Sequence, residues 1–242
     1  MNVIEREERE EREEREEREE RKEGKGRSKV SAQLTPRDFA ALTWLLEQKA
    51  ATLPQLTLLL GFLGEREISD RRGAQIVARW VSLGLVERTA IWHRKPAVVW
   101  PTSSGALLVG ARRWKTPALG TLRHTLAVSE VRLRVCRPWN GRTWLTEAML
   151  REVLAKQIRL PDGAFVEKTG EMTAVEVELS SHGRTRVRDA MTSLTAARDG
   201  DHDQFHHVLY LCAPETLFQC TQVRQELPDS IRSRVVVLPC PE

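Results

Sequence analysis

The stretch from Pro161 to Leu179 constrains this chain more tightly than any other. Two apolar-rich runs, 163–167 and 173–179, flank Lys168-Thr169-Gly170, which suits a three-residue hairpin loop with the glycine in the left-handed position. If Glu167 pairs with Glu171, the antiparallel ladder sets Asp162 directly opposite Glu176. Side chains alternate along a strand, so Glu176 and Glu178 share one face while Val175, Val177 and Leu179 share the other. Three carboxylates are thereby expected on one patch, although strands are normally depleted in Asp and Glu. Carboxylates held together must share protons or bind a cation, and hard oxygen donors of this kind suit Mg2+ or Mn2+. A metal held there would contact a phosphate and could activate water against a P–O bond. The plainer alternative is a solvent-facing hairpin with incidental acids.

The chain around this hairpin reads as a mixed α/β domain over 120–242. Its expected order is helix 122–135, strands 143–148, 163–167 and 173–179, helix 185–198, strand 207–212, helix 215–225 and strand 234–238. In the first helix Leu122, Leu126 and Leu133 lie on one side and Val128, Val131 and Val135 on the other, which implies burial on both faces.

A different pattern fills residues 34–110. Thr35 can cap a helix that has Pro36 at its first position and Asp38 at its positive end. Phe39, Leu42, Leu45 and Leu46 then form its apolar face. A second helix follows Thr52, carries Leu56, Leu59 and Leu60 and is expected to stop at Gly61. A third starts near Ser69-Asp70, buries Ile76, Val77, Trp80 and Leu83, and closes at Gly84. Candidate strands 85–92 and 97–100 flank the basic turn His93-Arg94-Lys95-Pro96. Three helices and a hairpin with a basic tip are the layout of a winged helix-turn-helix. Arg71, Arg72, Gln75 and Arg79 lie opposite the apolar face of the third helix, where they could read a major groove, with Arg94 and Lys95 on the backbone. The apolar stretch 106–110 reads as the way out of this domain, with the boundary near 111–120.

Charge distribution agrees with a nucleic-acid partner. Residues 1–26 hold 12 Glu and 8 Lys or Arg, so 22 acidic and 30 basic residues of the chain's 34 and 38 belong to the remainder, a net charge of +8. The Glu-Glu-Arg triplets of that first segment place Glu four residues before Arg, as in Glu5 and Arg9, and offer no apolar stripe. A solvated, partly helical tail over 1–30 is expected. No window reaches the roughly 20 apolar residues of a membrane span, and the start lacks the order of a secretory signal. Cys136, Cys212, Cys220 and Cys240 form no CxxC pair, so a reducing, cytoplasmic location with no membrane partner is expected.

The Asp162-Gly163 turn, the Glu176-Val177-Glu178 strand and the helix, three strands, helix, strand order resemble the PD-(D/E)XK nuclease core. From about Leu34 to Leu238 the chain resembles more closely the actinobacterial replication-relaxation family, which joins a winged helix to such a core. The residues that carry this likeness are Leu34-Thr35-Pro36-Arg37-Asp38, Leu83-Gly84-Leu85-Val86-Glu87-Arg88, His124-Thr125-Leu126-Ala127-Val128, Pro161-Asp162-Gly163 and Val175-Glu176-Val177-Glu178-Leu179-Ser180. That family is associated with plasmid replication and transfer, and is similar to mobilisation relaxases with a restriction-enzyme-like site. The resemblance implies a DNA nickase or relaxase-like nuclease using Mg2+ or Mn2+, with Asp162 and Glu176 as metal ligands and Glu178 completing the shell or polarising the attacking water. Its candidate partners are double-stranded DNA, plasmid replication or transfer proteins and a second copy of the chain. Glu178 stands where the pattern has Lys, so the positive charge would come from His182, Arg184 or Lys168. Glu130 fits the accessory acid, and Glu147 and His124 are further candidates. The same departure also suits a non-enzymatic DNA-binding regulator with a degenerate nuclease fold.

Other constellations carry less. Tyr210 lies in an apolar strand and reads as core rather than nucleophile. Asp201-His202-Asp203 with His206-His207 reads as a solvated loop, and Gly61-Phe62-Leu63-Gly64 lacks the Lys-Ser/Thr of a phosphate-cradling loop. Trp44 and Trp80 fit helix cores, while Trp92, Trp100 and Trp144 fall in expected strands. Arg184, Arg186 and Arg188 suit either a phosphate backbone or a solvated helix start.

Overall fold

The first helix, α1 (Pro36–Gln48), starts as its sequence dictates. The Thr35 hydroxyl accepts from the Asp38 amide, while the Asp38 carboxylate accepts from the Thr35 amide at 2.7 Å. This reciprocal box satisfies orphan donors at the helix start. Ala41, Leu42, Trp44 and Leu45 are buried, but Phe39, expected among them, is 41% exposed. The structure is a computed structural model and describes residues 34–137, 140–154, 159–195 and 205–241. The Glu/Arg-rich segment and Asp201-His202-Asp203 lie outside the described residues.

A short strand, β1 (Ala51–Thr52), leads into α2 (Leu53–Leu63), again opened by a capping box, here Thr52 with Gln55. The helix runs two residues past Gly61, the expected stop, and is capped at Gly64. Helix α3 (Asp70–Ser82) is capped by the Ser69 hydroxyl and buries Ile76, Val77 and Trp80, whereas Leu83 beyond it is 40% exposed. Strands β2 (Val86–Thr89) and β3 (Val98–Pro101) pair antiparallel, with β1 on the other edge of β3. β2 is shorter than the sequence suggests, β3 keeps its expected length one residue further on, and Trp92 lies outside both. Continuing the register would bring Pro96 opposite Ile91, and proline has no N–H to extend the ladder. Residues 102–110, expected to be a plain exit, hold a fourth helix, α4 (Ser103–Leu108). The Thr102 hydroxyl accepts from the Gly105 amide and donates to the Gly84 carbonyl at 2.6 Å, so what reads as a linker is a capped helix docked on β2's approach.

Helix α5 (Leu119–Val135) carries two apolar faces, as its residues imply. Leu122 and Leu126 pack with Ala50, Val98 and Trp100 of the first sheet. Val128 and Val131 pack with Trp144, Phe165, Val175 and Val177 of the second. Buried polar bonds reinforce the junction: the Ser129 hydroxyl donates to the Ala50 carbonyl at 2.8 Å and the Gln55 amide donates to the Leu126 carbonyl at 3.0 Å.

The second sheet has five strands: β4 (Thr143–Thr146), β5 (Gly163–Val166), β6 (Met172–Glu178), β7 (His207–Cys212) and β8 (Val235–Pro239), in that spatial order. The β4–β5–β6 pairs are antiparallel and the β6–β7–β8 pairs parallel. The parallel pairs require crossovers: α7 (Arg184–Thr195) connects β6 to β7, and α8 (Pro214–Gln225) with the single turn α9 (Asp229–Arg232) connects β7 to β8. Met191, Leu194, Tyr210 and Val223 form the core on that side. Two residues of the expected 143–148 strand belong instead to α6 (Glu147–Val153), because Thr146 caps the Met149 amide. The fold is thus mixed α+β, with a three-stranded antiparallel and a five-stranded mixed sheet. Among the described residues no helix is long and apolar enough to cross a membrane.

Candidate functional site

The hairpin register is the one that local pairing predicts. Gly163 pairs with Val175 and Val166 with Met172, the Glu167 amide donates to the Glu171 carbonyl at 2.9 Å, and Gly170 closes the turn at φ 90°. Continued one step beyond Gly163, where the paired strand starts, this register would set Asp162 opposite Glu176. The glycine after Asp162 has its own cause, since a Cβ on Gly163 would come within 2.2 Å of the Trp144 ring. The Trp144 ring packs directly on the backbone there, and Asp162 is held just ahead of β5. Its Oδ2 accepts from the Val177 amide at 2.8 Å, a non-ladder bond that pins the carboxylate to β6.

Asp162, Glu176 and Glu178 line one cavity of about 740 Å3 at the C-terminal end of β6, with Arg123, Arg159 and Arg186 also on its wall. Each acid has a basic neighbour. His124, on α5, lies with Nε2 3.1 Å from both Asp162 Oδ2 and the Val177 carbonyl. Both are acceptors, so Nε2 carries the proton. The bond to Asp162 raises the His124 pKa, against the opposing effect of burial. Arg159 Nη2 lies 2.7 Å from Glu176 Oε1, and His182 Nε2 lies 3.4 Å from Glu178 Oε1.

Glu176 is the least satisfied of the three. Its Oε2 is buried with no hydrogen-bond partner. Burial foremost, then the charge of Asp162, pushes its pKa up to about 7 despite Arg159. Burial likewise raises Glu178, which accepts a long 3.5 Å bond from the Tyr210 hydroxyl. A buried carboxylate oxygen without a donor is costly, and it is the kind of atom a hard cation would satisfy. Among the described residues no three His, Cys, Asp or Glu side chains stand as a preformed metal cage. The donor set nevertheless fits Mg2+ or Mn2+ in kind: Asp162 and Glu176 offer adjacent carboxylates, and Glu178 shares their cavity.

The other sequence candidates divide. Glu130 is not in this cavity; its carboxylate accepts from Gln55 and from Arg134, and it lines a groove beside the β2–β3 hairpin loop. Glu147 opens α6, pairs with Arg151 and flanks the opposite side of Asp162. Arg184 and Arg188 both pair with Glu226, and Lys168 is exposed in the hairpin loop, so neither Arg184 nor Lys168 supplies the cavity's charge. His182, the third candidate, does line the cavity beside Glu178, and the cation bonded to Glu176 is Arg159, three residues ahead of Asp162, which no motif marks.

On α3, Arg71, Arg72 and Gln75 are exposed, with Arg72 Nη1 3.4 Å from Gln75 Oε1. Arg94 and Lys95 are exposed at the hairpin tip, Arg94 at φ 55°. Arg79 differs from them: its Nη2 donates at 2.6 Å to both oxygens of the fully buried Asp38. Comparison of the chain with protein-family models, curated proteins and solved structures found no match.

Proposed function

We propose that this protein binds double-stranded DNA through α3 and the hairpin tip, as a winged helix does, and nicks a phosphodiester at the carboxylate cavity, a PD-(D/E)XK-like centre. The observation that carries this reading is the buried, partnerless Glu176 oxygen beside Asp162 in a cavity with a basic wall. Asp162 and Glu176 would hold Mg2+ or Mn2+, which when bound supplies Lewis acidity and an activated water. His124 fixes the Asp162 carboxylate in place. Glu178, with its raised pKa, is suited to take a proton from the attacking water. Arg123 and Arg186 draw the phosphate backbone to the cavity. The resemblance to the replication-relaxation family supports a role for this chemistry in plasmid or mobile-element replication or transfer. Four free cysteines accord with a cytoplasmic setting.

A second reading rests on the Arg159–Glu176 pair, which already supplies one Glu176 oxygen with a cation. In that reading the cavity is retired and the protein is a DNA-binding regulator, paired with itself or with transfer proteins. Conversion of supercoiled plasmid to the nicked form with Mg2+ or Mn2+ tests the two. Nicking that disappears in Asp162→Ala supports the nuclease; no nicking, with duplex affinity unchanged in Asp162→Ala, supports the regulator.

A further inference from the structure

Arg159 and Glu176 meet incompletely. A guanidinium and a carboxylate aligned fork to fork make two parallel bonds, yet here only Nη2 to Oε1 forms, at 2.7 Å. Arg159 Nε and Glu176 Oε2, the atoms a second bond would join, are both buried without partners. The carboxylate is nearly enclosed at 11% exposure, whereas the arginine side chain is 35% exposed and borders the open cavity. The arginine is thus the partner with room to leave. Among the described residues it is also the one permanent charge bonded to the three acids, because the charged partners of Asp162 and Glu178 there are histidines.

We propose that Arg159 is a displaceable internal counter-ion that couples nucleic-acid binding to loading of the divalent metal. The inference rests on the nuclease reading of the cavity. Without DNA, the guanidinium neutralises Glu176 and opposes entry of a second cation. A phosphodiester entering the cavity offers the guanidinium a better-matched, bidentate partner. Once Arg159 turns to the phosphate, Glu176 is left to the metal. Linkage then requires reciprocity: the factor by which DNA tightens metal binding is the factor by which metal tightens DNA binding.

The test is Mn2+ binding to the full chain, measured by titration calorimetry with and without a short phosphorothioate duplex that resists cleavage. Asp162→Ala serves as the background for metal held by DNA alone. Duplex is expected to tighten Mn2+ binding to the wild-type protein about tenfold, the scale on which a neighbouring arginine biases a carboxylate. Arg159→Met, which keeps the apolar stem, is expected to bind Mn2+ about tenfold more tightly than wild type without DNA, to lose the duplex effect and to nick more slowly. A merely structural arginine would lower metal affinity and nicking together. Equal Mn2+ affinity in wild type and Arg159→Met, with no duplex effect, overturns the inference while leaving the metal site standing. Absence of Mn2+ binding in every protein overturns both. Should Arg159→Met fail to fold, Arg159→Gln replaces it in the same titration with the same expectation, and absence of a duplex effect on the wild-type protein overturns the inference.

Discussion

Asp38 and Glu176 are both buried carboxylates, and they live in opposite surroundings. Asp38 receives the amide and hydroxyl of Thr35, the Trp80 indole N–H and the Arg79 guanidinium. Burial alone would raise its pKa, but these donors hold it below the ordinary value of 3.8. Glu176 has one cation on one oxygen, nothing on the other, and two further acids in the same cavity. Its pKa moves the other way, up to about 7. The first carboxylate ties α1 to α3; the second is left short of donors at the end of a strand. Burial is common to both, so the supply of donors is what separates a structural acid from a candidate catalytic one.

The comparison can be broken most decisively at Asp38. Asp38→Ala strands Arg79 and removes the carboxylate half of the α1 capping box, and is expected to cost about 3–5 kcal/mol in urea denaturation; a loss below about 1 kcal/mol would dissolve the contrast. The proton-linked part of this stability is present above pH 3.8 and is lost as pH falls through the lower folded-state pKa, because the unfolded chain binds the proton first. Asp38→Asn is expected to lack that acid-side loss. Arg79→Ala comes next, at roughly 2 kcal/mol, since it leaves the buried Asp38 charge with fewer donors.

Glu176→Gln should have the opposite sign. Its folded-state pKa of about 7 lies above the ordinary 4.5, so ionisation costs the folded state and stability falls as pH rises through that window. The glutamine variant is expected to be about 1 kcal/mol more stable than wild type at pH 8 and to show no gain at pH 4, measured by thermal denaturation without metal. The smallest change in stability is expected for Arg72→Ala, within about 0.5 kcal/mol. Its effect should appear in duplex affinity, with the salt slope reduced by about one phosphate contact. An Arg72→Ala protein that binds duplex as wild type does would remove α3 from the DNA-binding reading.

Local rules made much of the fold legible. Thr35-Pro36-Arg37-Asp38 and Ser69-Asp70 mark helix starts because capping is settled within four residues. The Asp162–Glu176 register follows from one turn, because a three-residue loop leaves a ladder little freedom. Where the reading failed, distant partners decided. Phe39 has the right spacing, yet no described element buries it. Thr102-Ser103-Ser104 has a linker's composition, yet the Gly84 carbonyl recruits Thr102 and a helix forms. Arg79 has the spacing of a DNA-reading residue, and Asp38, 41 positions away, takes it.

The sequence by itself determined the main helix starts, the hairpin register and the presence of two glutamates on one face of a strand, all consequences of backbone periodicity and hydrogen bonding over a few residues. Only the tertiary structure decided which acids are satisfied. That Arg159 serves Glu176, that Glu130 is bound by Gln55 and Arg134, and that one Glu176 oxygen is left bare depend on how α5 and the segment before β5 meet the sheet. Desolvation and charge pairing act through space, and no spacing along the chain encodes them.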